Sequence, residues 1–168
     1  MVTTEQIKDL RDKTGVSVMQ CKKALEEADG DMEKAIAILQ TKSKDIASKK
    51  SDRTFGAGVV ASYVHASQTM GTLVELVCET DFVSKNDEFK ALARDIAMHI
   101  TAANPEFLKA TDITDAEKAA EAKDRILLDQ SFVKNPDITI SGLIDSAIQK
   151  FGEKIEVARF VRFGVLEK

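Results

Sequence analysis

Thr72-Leu-Val-Glu-Leu-Val-Cys-Glu79-Thr-Asp-Phe-Val-Ser-Lys-Asn-Asp-Glu-Phe89 is the stretch where the chain passes from one periodicity to another. Over 72–78, Val74, Leu76 and Cys78 share one face while Glu75, Val77 and Glu79 share the other. That period of two describes a half-buried antiparallel strand better than a buried parallel one. From Ser84-Lys-Asn-Asp87 the pattern turns helical, with cap residues followed by Phe89, Leu92, Ile96 and Ile100 as an inward stripe, ended by Asn104-Pro105. Between the two lies a short acidic and polar turn carrying Phe82. An aromatic there can pack into its own core or project outward as an anchor for a partner. Spacing alone favours the core, since most aromatics are inside, although a rigid ring beside an exposed connection is a common binding hot spot.

Working outward, Gly58-Val-Val-Ala-Ser-Tyr-Val-His65 repeats the alternation and reaches the 72–78 strand through a short turn ending in Gly71, which reads as a hairpin. On the other side, Thr114-Asp-Ala-Glu117 has capping-box spacing and is expected to open a helix towards Ile126-Leu127-Leu128. Asn135-Pro136 breaks the chain. Ser141 begins a short helix with Ile144, Ala147, Ile148 and Phe151 inward, stopped by Gly152. In the last strand Ile155, Val157, Val161, Phe163 and Val165 are expected on one face, interrupted there by Arg159. The core is therefore α+β, a small three-stranded antiparallel sheet with helices packed on one face.

The N-terminal end reads differently. Thr3 or Thr4 can cap a first helix with Ile7 and Leu10 inward, and Thr14-Gly15 ends it. Ser17-Val-Met-Gln20 caps a second, with Cys21, Ala24, Leu25 and Ala28 on one face. Asp31 caps a third, carrying Met32, Ala35, Ile36 and Leu39. Residues 1–41 thus form a three-helix module. Residues 42–54, where Lys42, Lys44, Lys49, Lys50 and Arg53 outnumber Asp45 and Asp52, form a basic, solvated linker that helix can extend into. The α+β core occupies 55–168.

Composition bounds what such a chain can do. With 168 residues, 31% charged and 43% apolar, it holds one ordinary domain or a small module beside a modest one. A net charge of −4 argues against a general nucleic-acid binder, which needs a basic face to replace counterions. No apolar run approaches a membrane span, and Met-Val-Thr-Thr-Glu-Gln lacks the pattern of a signal peptide. Cys21 and Cys78 read as reduced, buried thiols of a cytoplasmic protein. No phosphate-cradling glycine motif, nucleophile with its base, or metal-ligand spacing is present, so no cofactor is expected. His65 and His99 stand far apart, and His99 reads as a helix-packing residue. Asp81, Asp87 and Glu88 are more simply helix-start residues than a cation site.

Several blocks, in order, resemble one family. Leu10-Arg-Asp-Lys-Thr-Gly15, Cys21-Lys-Lys-Ala-Leu25 and Gly30-Asp-Met-Glu-Lys-Ala-Ile36 are similar to a ubiquitin-associated-like three-helix module. Thr80-Asp-Phe-Val83 with Asn86-Asp-Glu-Phe89, Arg94-Asp-Ile-Ala-Met-His-Ile100 with Ala103-Asn-Pro105, and Gly152-Glu-Lys-Ile155 with Arg159-Phe-Val-Arg-Phe163 are more specific. Together they resemble the elongation factor Ts family, nucleotide-exchange factors of elongation factor Tu, in a short form with one core copy. Residues 106–126 are shorter than in most members, and Gly15-Val-Ser-Val-Met-Gln20 replaces a glycine-richer run. The resemblance implies binding to elongation factor Tu, GDP-bound and nucleotide-free, and release of its GDP. It further implies that Thr80, Asp81, Phe82 and Val83 form the partner-binding loop that dislocates magnesium, and that two chains pair as a homodimer. A different class of function, a ubiquitin-associated-type adaptor without exchange activity, and a weaker RNA-binding reading through the basic linker remain as alternatives.

Overall fold

In a computed structural model that describes residues 2–167, three helices open the chain: α1 (Thr4–Thr14), α2 (Val18–Glu27) and α3 (Met32–Lys49). Each starts at a side chain that accepts an otherwise orphan amide: Thr3 from Gln6, Ser17 from Gln20, Asp31 from Lys34. At Thr3 the box is reciprocal, the Gln6 side chain accepting the Thr3 N–H at 2.9 Å. The three apolar stripes meet in a cluster of their own, in which Leu10, Cys21, Leu25 and Leu39 are buried.

α3 continues through the basic stretch. Its lysines point outward, Lys42 pairing with Glu27 at 2.9 Å, whereas Ser43 is buried and donates to the Gln149 side chain. Ile46 and Ala47 pack against a second, larger core. One helix therefore lines both clusters, because its apolar face persists beneath the lysines. Asn135 adds a tie by donating to the Lys13 carbonyl at 3.3 Å.

The second core is built on a three-stranded antiparallel sheet of β1 (Ala57–Val64), β2 (Met70–Cys78) and, from the end of the chain, β5 (Ile155–Gly164), with β2 central. β2 leads into a one-turn helix α4 (Asp81–Ser84) and then α5 (Asp87–Ala103). A short α6 (Ala116–Glu121) and two 3₁₀ turns precede a small hairpin of β3 (Ser131–Phe132) and β4 (Asn135–Thr139), and α7 (Ile140–Phe151) follows. α5 and α7 cover the inner face, where Leu76, Cys78 and Ile155 meet Phe89, Ile96, Ile100, Ile140 and Ile148, all buried.

Four expectations change. Residues 126–128 do not end a helix, since α6 stops at Glu121, Ile126 is extended and Leu127–Asp129 form a 3₁₀ turn; the cap of α6 is Asp115. Asn135-Pro136 does not break the chain but starts β4; proline is tolerated there because the hairpin has only two strands and β4 is an edge. α7 is capped by Thr139 and begins one residue before Ser141. The fourth concerns β5. Its register against β2 shifts between Glu75/Leu76, so that Arg159 opposes Glu75 and Val157 opposes Leu76, with Ala158 left over as a bulge. One extra residue flips every later side chain to the other face. Ile155 and Val157 face the core, but so do Phe160 and Arg162, while Val161 and Phe163 face outward. The bulge spares Arg159 from entering the core, where an unpaired guanidinium would be costly; it lies outside, 2.7 Å from Glu75.

Two buried polar groups tie this core together. Thr101 on α5 donates to Thr72 on β2 at 2.8 Å. His99 is fully buried, its Nδ1 accepting from the Val133 N–H at 3.3 Å and its Nε2 lying 2.9 Å from the Gln130 side-chain oxygen. Gln130 is itself oriented by donating to the Asp124 carbonyl at 2.8 Å. Only the neutral imidazole protonated on Nε2 satisfies both neighbours. Burial pushes its pKa below the ordinary 6.5. Below about pH 6.5 the unfolded chain then takes up a proton that the folded chain refuses, so stability is complete above that pH and lost as pH falls towards the lower folded value. The melting temperature should therefore decline between pH 7.5 and 5, and a His99→Gln variant, less stable at neutral pH, should decline less over the same interval.

Candidate partner-binding site

β2 ends at Cys78, directly opposite Ile155 at the start of β5. Beyond that last pair the two backbones exchange carboxylates. Glu153 accepts from the N–H groups of Glu79 and Thr80, both at 3.0 Å, and from the Thr80 hydroxyl. Glu79 in return accepts from the Lys154 N–H at 2.6 Å, and that bond, aided by Arg53, holds its carboxyl below the usual range. Charged acceptors make these hydrogen bonds stronger than neutral ones. Lys154 secures a third segment: its ammonium donates to the Ser51 and Arg53 carbonyls at 2.7 and 3.2 Å and lies 4.6 Å from the Phe55 ring centroid. Gly56 completes the crossing, since a Cβ there would stand 2.7 Å from the Glu79 carbonyl oxygen.

This junction aims α4. Thr80 caps the turn with its backbone extended, its hydroxyl committed to Glu153. Successive residues of a helix point about 100° apart, so fixing the turn sends Val83 and Phe82 in different directions. Val83 is buried against the second core, whereas Phe82 is 82% exposed. The preference from spacing for a core Phe82 is thus reversed. Leaving such a ring in water forgoes about 1.5–3 kcal/mol of burial, a cost that a partner can recover. Asp81 lies beside it, paired with Lys85 at 2.7 Å; the Lys85 hydrogen bond and charge lower its pKa, and both side chains stay exposed. The four residues of the loop therefore divide into an anchor to the segment just before β5, an exposed carboxylate, an exposed ring and an inward plug.

Arg53, Glu153 and Lys154 escaped notice as site residues. They lie far from the loop in sequence, and the only signal was the Gly152-Glu-Lys run opening the last strand. The turn presents an apolar ring and a carboxylate to solvent, side by side. Among the described residues no group of His, Cys, Asp and Glu is placed to hold a metal ion, and no helix is long and apolar enough to cross a membrane. Two further apolar surfaces are exposed. Val18 and Met19, at the start of α2, are 54% and 68% exposed. The outer face of the sheet presents Val60, Val64, Leu73, Val161 and Phe163.

The family model described as elongation factor TS matches residues 4–126. Curated relatives described as elongation factor Ts match almost the whole chain. The protein of Carboxydothermus hydrogenoformans is 45% identical over 192 aligned residues, covering 97% of this chain and 88% of the relative. Those of Heliobacterium modesticaldum and Thermodesulfovibrio yellowstonii are each 42% identical, covering 97% and 98% of this chain and 89% and 96% of their own. The aligned stretch exceeds the 168 residues of this chain, so the relatives carry segments that it lacks.

Glu153→Ala should leave the Glu79 and Thr80 amides without their acceptor, a loss of about 1–3 kcal/mol. Faster hydrogen exchange at those two amides, with protection in α5 retained, is the expected result; unchanged exchange at 79 and 80 would mean that the turn is held by something else.

Proposed function

The chain belongs to the elongation factor Ts family of translation elongation factors, and from that premise we propose that it binds elongation factor Tu carrying GDP and accelerates GDP release, acting as an exchange factor rather than as an enzyme. The observation that carries this reading is Phe82: a bare aromatic ring held outward on a turn whose other residues are all tied down. The logic of exchange is differential binding. A factor that prefers the nucleotide-free partner lowers nucleotide affinity by the same coupling factor, because linkage is reciprocal. By family resemblance Phe82 is the wedge that enters between elements of the GTPase near its magnesium and phosphate site. Asp81 is its polar neighbour, Thr80 its anchor and Val83 its footing. Displacing magnesium removes charge compensation from the phosphates, and GDP leaves.

The rest of the molecule supports a two-point grip. The three-helix module of residues 1–41 serves as the anchor on the nucleotide-binding domain, with Val18 and Met19 as its exposed apolar contact, and the core of residues 55–168 engages a second surface. Once one point is engaged the other binds at high effective concentration. A strut helix through residues 42–49 suits this, since it holds both contacts at a set distance. The outer face of the sheet, apolar and with strand edges at β1 and β5, is assigned to pairing with a second copy in a homodimer. The place of action is the cytoplasm, where translation runs.

Release of a fluorescent GDP from elongation factor Tu, followed by stopped flow, tests the proposal against the adaptor reading, which predicts binding without acceleration. Phe82→Ala should weaken productive binding by about 2 kcal/mol or more, roughly thirtyfold, with the melting temperature almost unchanged because the ring touches little of its own fold. Met19→Glu should raise the concentration needed for half-maximal release and leave the maximal rate nearly intact. A large fall in melting temperature for Phe82→Ala, with release preserved per folded molecule, would return the ring to a structural role.

A further inference from the structure

A cleft of about 250 Å3 opens between α7 and the start of β5, with the end of α3 on one side and the chain around residues 108 and 128 on the other. Its lining is mainly apolar, supplied by Leu108, Leu128, Ile144, Ile148, Ile155 and Val157. Ala47, Ser51 and Ser141 also border it, with side chains too short to fill it. Two carboxylates reach this lining. Glu156 is paired with Lys154 at 3.6 Å, and the Lys154 ammonium is held further by the Ser51 and Arg53 carbonyls. Asp145 is different. It sits in the middle of α7, half-buried, and among the described residues no hydrogen bond or ion pair reaches its carboxyl. Burial raises its pKa, and the charge of Lys44 on α3 offsets that only in part. Lys109, the other cation on the lining, is exposed and can keep its ammonium in water at the mouth.

A carboxyl taken out of water without a donor is costly, and a cation brought beside it restores its charged form. An anionic ligand would meet that carboxylate unfavourably, and a neutral apolar one would bury it further unpaired. The volume lies at the small end for a ligand pocket, which suits a compact molecule rather than a nucleotide or a large cofactor. We propose that this cleft binds a small primary amine, its ammonium on the Asp145 carboxylate and its apolar body between α7 and β5. Asp145 has no part in the proposed exchange, so the site can be scored without reference to GDP release.

Benzylamine is the probe and benzyl alcohol its neutral counterpart of the same shape. Each is titrated into the full chain while the leucine and isoleucine methyl signals are followed by NMR. Benzylamine should shift the methyls of Leu108, Ile144 and Ile148 saturably, with a dissociation constant of about 1 mM, ordinary for so small a molecule. Benzyl alcohol on the unaltered chain, and benzylamine on Asp145→Asn, should each bind roughly tenfold more weakly, the loss expected when a charged hydrogen bond is removed. Asp145→Asn breaks no contact among the described residues, so its melting temperature should not fall; if it does, the comparison of amine with alcohol on the unaltered chain decides alone. Equal binding of amine and alcohol overturns the proposal, because the hollow would then select shape without charge. Equal binding of benzylamine to both chains overturns it too, as do shifts confined to another part of the molecule or the absence of saturable shifts at about ten times the expected constant.

Discussion

Everything that presents the loop depends on the crossed carboxylates beyond the end of the β2–β5 pairing. Glu153 takes the amides of Glu79 and Thr80, and Glu79 takes the amide of Lys154. At that point two antiparallel strands stop pairing and their backbones must diverge, which leaves amides without partners at the rim of a core. Neutral acceptors would satisfy them; anions do so more strongly and also draw Arg53 onto the same spot. The turn that follows is thereby fixed in direction before α5 begins. A ring on a freely moving loop would lose more entropy on docking, so under the proposed function a turn held in place costs less to bind.

A second constraint is the single bulge in β5. It solves a local conflict, a charged residue at a parity that leads into the core, by shifting the register one residue. The consequences extend over the remaining strand. Phe160 and Arg162 turn inward, Arg162 reaching the Thr101 carbonyl at 3.1 Å, and the apolar Val161 and Phe163 are turned out. The same bulge that protects the core creates an exposed apolar face on the opposite side of the sheet, with a charged pair at its middle.

α3 couples these parts. Its first turns complete the three-helix cluster and its last turns cover part of the second core through Ile46 and Ala47, with Ser43 bonded to Gln149. The two apolar clusters remain separate, yet the exposed Met19 and the exposed Phe82 are joined by packed helix rather than by loose chain.

Much of this was legible in the residues themselves. Alternation over 72–78, the caps at Thr3, Ser17 and Asp31, and the inward stripe of Phe89, Ile96 and Ile100 are local properties, set by side-chain period and by hydrogen bonds reaching no more than a turn away. The α+β class and the antiparallel hairpin followed from them, as did the position of the 80–83 turn between strand and helix; the family came from the resemblance of whole blocks instead. The direction of Phe82 did not, because a ring next to a turn has no period to obey; it was decided by Glu153, more than seventy residues away. Nor did the outer face of β5, because a bulge leaves no mark on composition and inverts everything after it. The partnership of His99 with Gln130 and Val133 likewise required the small β3–β4 hairpin to fold back over α5. Local chemistry chose the elements and their caps. Which way the exposed side chains of the candidate site face was settled by hydrogen bonds and register between segments distant in sequence, and only the assembled fold brings those together.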